Sequence, residues 1–398
     1  MRKPLPTATH LQCLLLVVLF PAAAILQAQE TNRSRPFAPG SCGPADPVYI
    51  RSAEDTAGIP FFFQRSEVAQ ATKLMLAETS QNRVTMLWAK GELQNGDSEF
   101  AVPVDSTLEF VIFTISVGDH NTKMEVFGPD NAPITADPHA EVTDFTCGHY
   151  IILKKPAPGT YRVRIKGSGR FWLSVGGKSE IFLYGVEFVE PGGRPGHEGM
   201  FAIHGQPLVN KPANLEASLS GDVRKVAFAL VTPENRAIRT LNLEPVRAER
   251  DEHEFAGSFA LPEQPFRVLA SGVDQNGHRF QRVHEGLFRP TTISVALVST
   301  SDVEPGHAVT ITFRATNLGH SDAFRFVAVS ANGWPVRIDR NDIYLASGES
   351  ANLVVSVTVP ANTPAYNGGD LVLSATSDND LSITNGFVHH LSVEPRRK

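Results

Sequence analysis

From Arg83 onward the chain alternates apolar and polar residues with a period of two. This is the pattern of strands that bury one face. The clearest case is 159–188, where Tyr161, Val163 and Ile165 share one side and Arg162, Arg164 and Lys166 the other. Gly167-Ser168-Gly169 and Gly176-Gly177-Lys178-Ser179 divide this stretch into three strands with hairpin turns between them. Further alternating runs cover 84–93, 99–104, 108–117, 124–127 and 150–154. Turn residues separate them at Asn95-Gly96-Asp97, Gly118-Asp119, Gly128-Pro129-Asp130-Asn131 and Pro156-Ala157-Pro158-Gly159. About eight short strands within 83–190 predict a β-sandwich or jelly roll, since so few strands cannot hide an apolar face without a second layer.

Two more strand series follow. Pro191-Gly192-Gly193-Arg194-Pro195-Gly196 has the composition of a linker. Strands at 213–219, 223–232, 238–245, 254–261, 266–273 and 278–284, with a hairpin turn at Asp274-Gln275-Asn276-Gly277, fit an immunoglobulin-like sandwich over 197–290. Alternating runs at 309–315 and 353–359 define a third sandwich of the same class over 291–396. Ahead of the β series, 49–58 is weakly helical and 59–63 (Ile-Pro-Phe-Phe-Phe) is a short buried strand. A helix capped by Ser66 follows, with Val68, Ala71, Thr72, Met75 and Leu76 at helical spacing. The fold class is mainly β: tandem sandwiches preceded by a short α/β remnant over 30–82.

Composition adds an address. Arg2-Lys3, the apolar run 11–25 and the small residues after it predict a signal peptide over 1–29, cleaved within 24–29. The alternative, an uncleaved anchor, suits a longer run without Pro21. The expected location is secreted or extracellular, or the periplasm or cell surface in a bacterium, with no membrane insertion after cleavage. Asn32-Arg33-Ser34 is a sequon whose use depends on the host. A net charge of −6 with no long basic run argues against nucleic acid as a partner. The mature chain keeps Cys42 and Cys147, and export favours a disulfide between them over two separate thiols.

Candidate chemistry is sparse. Gly96-Asp97-Ser98 is similar to an esterase nucleophile block, but no late Asp-x-x-His accompanies it and the composition is that of a turn. His389-His390 lie on opposite faces of a strand and cannot share one ion. Asp378-Asn379-Asp380 offers calcium-type oxygens on a single short turn, too few for a site. No metal site, cofactor or catalytic residue is expected. Asp137 and His139, in the long 129–148 connection, are candidates for a ligand rim. Trp172 beside Phe171 must face the other way, where it either stacks on a sugar or protein partner or packs beneath a neighbouring domain. Trp88 and Trp334 carry the same alternatives.

Four stretches, in order, resemble the region that follows the von Willebrand factor A domain in hemicentins and related extracellular proteins. Cys42-Gly43 through Glu67-Val68 is similar to the end of that A domain, and 100–108 (Phe-Ala-Val-Pro-Val-Asp-Ser-Thr-Leu) to the entry of the β domain after it. Gly159-Thr160-Tyr161 with Gly169-Arg170 and Gly185-Val186 resembles the closing strands of that domain, and Phe280-Gln281-Arg282-Val283 the end of the next immunoglobulin-like unit. The resemblance covers 42–290 and implies a galactose-binding-like jelly roll followed by an immunoglobulin-like sandwich. The Asp-x-Ser-x-Ser cation loop of the A domain does not occur here, so the resemblance does not extend to metal-dependent adhesion. The expected function is non-enzymatic extracellular adhesion or surface recognition of a protein or glycan. A carbohydrate-binding module array and an accessory subunit of an exported enzyme are the alternatives.

Overall fold

The computed structural model describes residues 42–43, 47–79, 82–193, 195–209, 211–248 and 252–393. The expected signal peptide over 1–29 and the sequon Asn32-Arg33-Ser34 lie outside the described residues.

The first sandwich consists of β1 (Arg83–Val104), β2 (Phe110–Val117), β3 (Lys123–Phe127), β4 (Ala140–Phe145), β5 (Gly148–Lys154) and β6 (Gly159–Lys178). Here the structure corrects the turn assignment. Asn95-Gly96, Gly167-Ser168-Gly169 and Gly176-Gly177 lie inside continuous strands: β1 has 22 residues and β6 has 20, and they pair antiparallel along almost their whole length. The register slips between Leu93 and Gly96, opposite Gly167 and Gly169, whose positive φ values (143° and 80°) let the ribbon bend sharply. At Gly167 a Cβ would sit 2.4 Å from Thr122 Oγ1, so the close approach also demands glycine. β2 pairs with the second half of β6 and β3 with the first half. One six-stranded sheet, in the order β1-β6-β2-β5-β4 with β3 on β6, therefore folds over itself. Val102, Phe113, Ile115, Val163, Ile165, Leu173 and Val175 fill the interior.

The second sandwich pairs β11-β10-β14-β15 with β12-β13-β9-β7-β8. These strands are β7 (Phe182–Gly192), β8 (Gly199–Ala202), β9 (Pro212–Ser220), β10 (Val223–Val231), β11 (Ala237–Leu241), β12 (Glu244–Ala248), β13 (Glu252–Ala260), β14 (Arg267–Asp274) and β15 (Arg279–Val283). The strand 182–192, expected to close the first sandwich, pairs with β9 and β8 instead. Pro191 and Gly192 end β7 and pair with Met200 and Gly199 of β8, so the Gly/Pro-rich stretch belongs to the β7–β8 hairpin rather than to a link between domains, and the topological break falls at 179–181. The third sandwich stacks β16-β17-β21-β19 on β20-β18-β22-β23: β16 (Ile293–Thr300), β17 (Ala308–Asn317), β18 (Asp322–Ser330), β19 (Val336–Ile338), β20 (Asp342–Leu345), β21 (Ser350–Thr358), β22 (Gly368–Ser377) and β23 (Thr384–Ser392). It encloses its own core around Phe313, Phe324 and Phe326, and Trp334 packs on that core.

Among its described residues the N-terminal segment adds to no sheet. Helix α1 (Pro47–Asp55) is followed by the extended, non-strand 59–63 and by helix α2 (Val68–Glu78). A 3-10 turn over Arg65–Glu67 leads into α2, and Glu67 is the N-cap of α2. Gln64, rather than Ser66, is the N-cap of that turn, with its N–H donating to Glu67 Oε2 at 2.7 Å in a capping box. Glu67 Oε1 also accepts from Thr146 N and Oγ1, at 2.6 and 2.8 Å. Phe61, Phe63 and Leu74 cover Ile112, Phe145 and Tyr150, while Ile50, Ile59 and Phe62 cover Trp88 and Trp172. Alternation puts both tryptophans on the outer face of the first sheet, and this segment makes that face a second interior.

Candidate functional site

The expected disulfide is present: Cys42 and Cys147 are bonded, with Cα atoms 5.5 Å apart, and tie the start of the N-terminal segment to the β4–β5 turn. The proposed ligand-facing residues do not form one surface. Trp172 is 3% exposed, lies edge-on to Phe62 and donates from Nε1 to Glu54 Oε1 at 3.0 Å, which rules it out as a ligand-stacking ring. Asp137 and His139 are exposed, but their contacts are local. Asp137 Oδ1 accepts His139 N–H at 2.8 Å and faces His139 Nδ1 at 3.1 Å. The backbone bond from His139 holds the Asp137 carboxyl below its ordinary range. Asp97 lies within β1 and pairs with Arg164 at 2.7 Å. Asp378 pairs with Arg325 at 3.5 Å and His390 with Asp370 at 2.8 Å. Among the described residues no group of three or more His, Cys, Asp or Glu is placed to hold a metal ion.

What the fold does concentrate is buried charge at the joint between the first two sandwiches. Arg282 on β15 is 1% exposed. Its Nη2 donates to Asp105 Oδ2 and to Ser179 Oγ, both at 2.7 Å. Its Nε donates to the Ile181 carbonyl at 2.7 Å and its Nη1 to the Gln281 carbonyl at 2.8 Å. Asp105 Oδ1 accepts from Thr107 N and Oγ1 (3.1 and 2.6 Å), so the carboxylate is bonded on both oxygens. Burial pulls the Arg282 pKa below its ordinary value against the attraction of Asp105. Beside this pair, Asp274 Oδ2 accepts Ser106 N and Oγ at 2.9 and 2.7 Å, and its Oδ1 accepts Asn276 N and His278 N. Burial works to raise the Asp274 carboxyl, but the bonds from Ser106, His278 and Asn276 together hold it below the usual carboxylate range. Two of the four stretches that carry the family resemblance, 100–108 and 280–283, meet in this network.

A second cation completes the joint. Arg267, also 1% exposed, lays its guanidinium over Trp88 at 4.6 Å and donates to the carbonyls of Glu285 and Glu54. Burial lowers its pKa to about 10. The Glu54 carbonyl belongs to the last turn of α1, where Asp55 O accepts Leu287 N (3.3 Å) and Asp55 Oδ1 accepts Arg289 Nε (3.2 Å). Two arginines and an N–H of the second sandwich thus meet the negative end of the helix. Glu54 also reaches the first sandwich, accepting Lys90 Nζ at 2.7 Å and Trp172 Nε1. His284, packed on Phe288 and near Arg267, has its pKa pushed down to about 4, by burial first and the neighbouring cation second. A sequence signal for Arg282 did exist: it shares the inward face of its strand with Phe280, an arginine where alternation demands an apolar residue. Arg267, next to Phe266 and Val268 at a strand end, carries no such mark.

The fold defines a multi-domain β protein with an immunoglobulin-like end. Residues 292–394 match a family model described as the VWA7 Ig-like domain. Mouse (Mus musculus) hemicentin-2 is 24% identical over 269 residues, 65% of this chain and 5% of hemicentin-2, so the chain spans a small part of that relative. Among solved structures, the mouse nectin-like molecule 4 ectodomain aligns at 11% identity over 76% of this chain and 95% of that one, with a TM-score of 0.20. Bacillus licheniformis lipase BlEst2 in its propeptide form aligns at 10% identity over 61% and 43%, with a TM-score of 0.25.

Proposed function

We propose that the chain is a secreted, non-enzymatic recognition protein acting in extracellular adhesion or matrix binding, and that its first two sandwiches and N-terminal segment act as one rigid presenting unit. The observation that carries this reading is the joint: Arg282–Asp105, Asp274–Ser106 and Arg267–Glu54 bond the two sandwiches and α1 directly to one another. Neighbouring domains swivel by default unless their interface is large and hydrophobic; here the restraint is buried charge, which a swivel would strand without its partners. The disulfide supports an oxidising compartment. The similarity to hemicentin-2 and to the Ig-like family model supports the extracellular assignment. Among the described residues no helix is long and apolar enough to cross a membrane. The galactose-binding-like character of the first sandwich enters as an implication of resemblance, with a protein favoured over a glycan as partner because Trp172 is covered.

The test is recovery of the full chain from conditioned medium, followed by its binding to cell monolayers and to deposited matrix. Saturable binding to either surface is expected. Retention inside the cell, or medium-borne protein that binds neither, refutes the proposal. A specific hit on a glycan array shifts the reading to a carbohydrate-binding module.

A further inference from the structure

β16 ends the order of its sheet, so one side of its backbone is open. Leu318 N–H donates to the Thr292 carbonyl at 2.7 Å. Alternation then turns Ser294 and Ala296 toward β17, and the backbone groups of Ile293, Val295 and Leu297 outward, on the same side as those of Thr291. Along that outward edge the first position is filled by the chain itself. Thr291 N donates to Pro207 O and Val209 N to Thr291 O, both at 3.0 Å, forming a parallel bridge at Leu208. The next position is filled by a side-chain amide: Asn385 Nδ2 donates to Ile293 O at 2.8 Å, while its Oδ1 accepts Gln206 N at 2.8 Å. Beyond it, Val295 and Leu297 have no backbone partner on this side among the described residues.

A cleft of 360 Å³ between the second and third sandwiches opens over this stretch. Its apolar walls are Phe188, Pro207 and Pro212 on one side and Phe387 on the other. We propose that it binds an extended segment of a partner polypeptide, which adds as a strand to β16 and continues the ladder begun at Leu208. The chemistry follows from what is unfilled. Outward N–H and C=O groups recurring every second residue match an extended backbone; a helix, whose backbone groups are bonded internally, cannot supply them. The cleft walls select apolar side chains at alternate positions of the added strand. This inference uses the edge geometry alone and stands whether or not the chain acts in adhesion.

The experiment pans a phage library of linear peptides on the full chain, then measures synthetic copies of the enriched sequences by fluorescence anisotropy and amide hydrogen exchange. Enriched peptides are expected to alternate apolar residues and to slow exchange at Val295 and Leu297 at least tenfold. N-methylation of the peptide on its hydrogen-bonding edge is expected to weaken binding at least tenfold. Ala296→Arg, which keeps its ladder to β17 but fills the cleft from an exposed position, is expected to do the same without shifting thermal unfolding. The peptide arm needs no variant and so stands even where Ala296→Arg fails to fold. No enrichment, or binding unchanged by N-methylation in both edge registers, overturns the proposal. Protection of Val295 and Leu297 that rises with concentration of the chain alone also overturns it, and points to a second copy as occupant.

Discussion

Asp105→Ala is the perturbation that tests the joint most directly. The substitution removes the carboxylate bonded to Arg282 and leaves its guanidinium, among the described residues, with the Ile181 and Gln281 carbonyls and the Ser179 hydroxyl, all neutral. With Arg282 1% exposed, water cannot replace the lost partner without opening the interface. Breaking a buried pair from one side typically costs about 3–5 kcal/mol, because the remaining charge is uncompensated. Two further acceptor contacts, from Thr107 N and Oγ1, disappear with it, which places the expected loss toward the upper part of that range. Arg282→Met is the reciprocal change; it leaves Asp105 bonded only within its own turn. The double variant removes both charges together and is expected to recover part of the loss, with a coupling of about 0.5–3 kcal/mol.

The assay is denaturant unfolding of the full chain, followed through Trp88 and Trp172, which lie at the same joint, with calorimetry to separate the third sandwich's transition. A multi-domain chain need not unfold in one step, so the quantity compared is the transition those tryptophans report. A cost below about 1 kcal/mol for Asp105→Ala, or strictly additive single losses, would show that water reaches the pair and would refute the rigid joint. Surface pairs set the contrast, since exposed pairs are worth about 0–1 kcal/mol.

Removing the disulfide with Cys42→Ser and Cys147→Ser opens a 105-residue loop; the chain-entropy relation gives a loss of about 4–5 kcal/mol, read as faster hydrogen exchange over 59–63 and a lower transition midpoint. His284 sets a pH dependence. Its folded pKa of about 4 lies below the ordinary 6.5, so the unfolded chain takes up the proton first and stability falls as pH drops below 6.5. At about 1.4 kcal/mol per pKa unit the loss approaches about 3 kcal/mol by pH 4; His284→Phe is expected to remove that slope, and an unchanged slope would refute the assignment. Arg164→Ala, at an exposed pair with Asp97, is expected to leave the transition midpoint unchanged within error in the same unfolding measurement. Protease nicking at 195–198 is expected to leave one particle in size exclusion, because both arms of the β7–β8 hairpin belong to one sheet; release of two separate fragments would contradict that topology.

Much of the architecture was legible because period-two alternation survives wherever one face of a strand is buried. Arg162, Arg164 and Lys166 do face outward, pairing with Glu99, Asp97 and Glu125. The disulfide followed from cysteine parity and the expectation of export. The bends were not legible, because a Gly-Ser-Gly that reverses a hairpin and one that creases a continuous ribbon have the same local composition. What separates them is the partner strand: β1 runs past the crease and pairs on both sides of it, at Glu92 and at Asp97. Pro191–Gly196 misled for a related reason, since hairpin tips and linkers are both rich in Gly and Pro. The alternation placed Trp172 opposite Phe171 correctly, yet whether its face met solvent depended on a segment more than a hundred positions away in sequence.

That dependence changes what counts as a unit of this chain. Without the N-terminal segment, the outer face of the first sheet would lose the cover over Trp172, Ile112 and Tyr150 and part of that over Trp88, which Arg267 also overlies; with it, all four are at most 3% exposed. Burial of a large aromatic side chain removes about 150–250 Å² from solvent, at roughly 25 cal/mol per Å². Covering the outer half of such a ring therefore favours the covered state by about 2–3 kcal/mol before ordering costs, a sizeable fraction of the stability of a domain. The same segment ends α1 on Arg267 and Arg289 of the second sandwich, so removing it also leaves a buried guanidinium without its helix carbonyl. A remnant that only preceded the first sandwich would carry neither burden. The segment is better described as the shared third wall of a joint that neither sandwich can close alone, and the smallest piece expected to fold with a sealed surface runs from Cys42 through the end of the second sandwich.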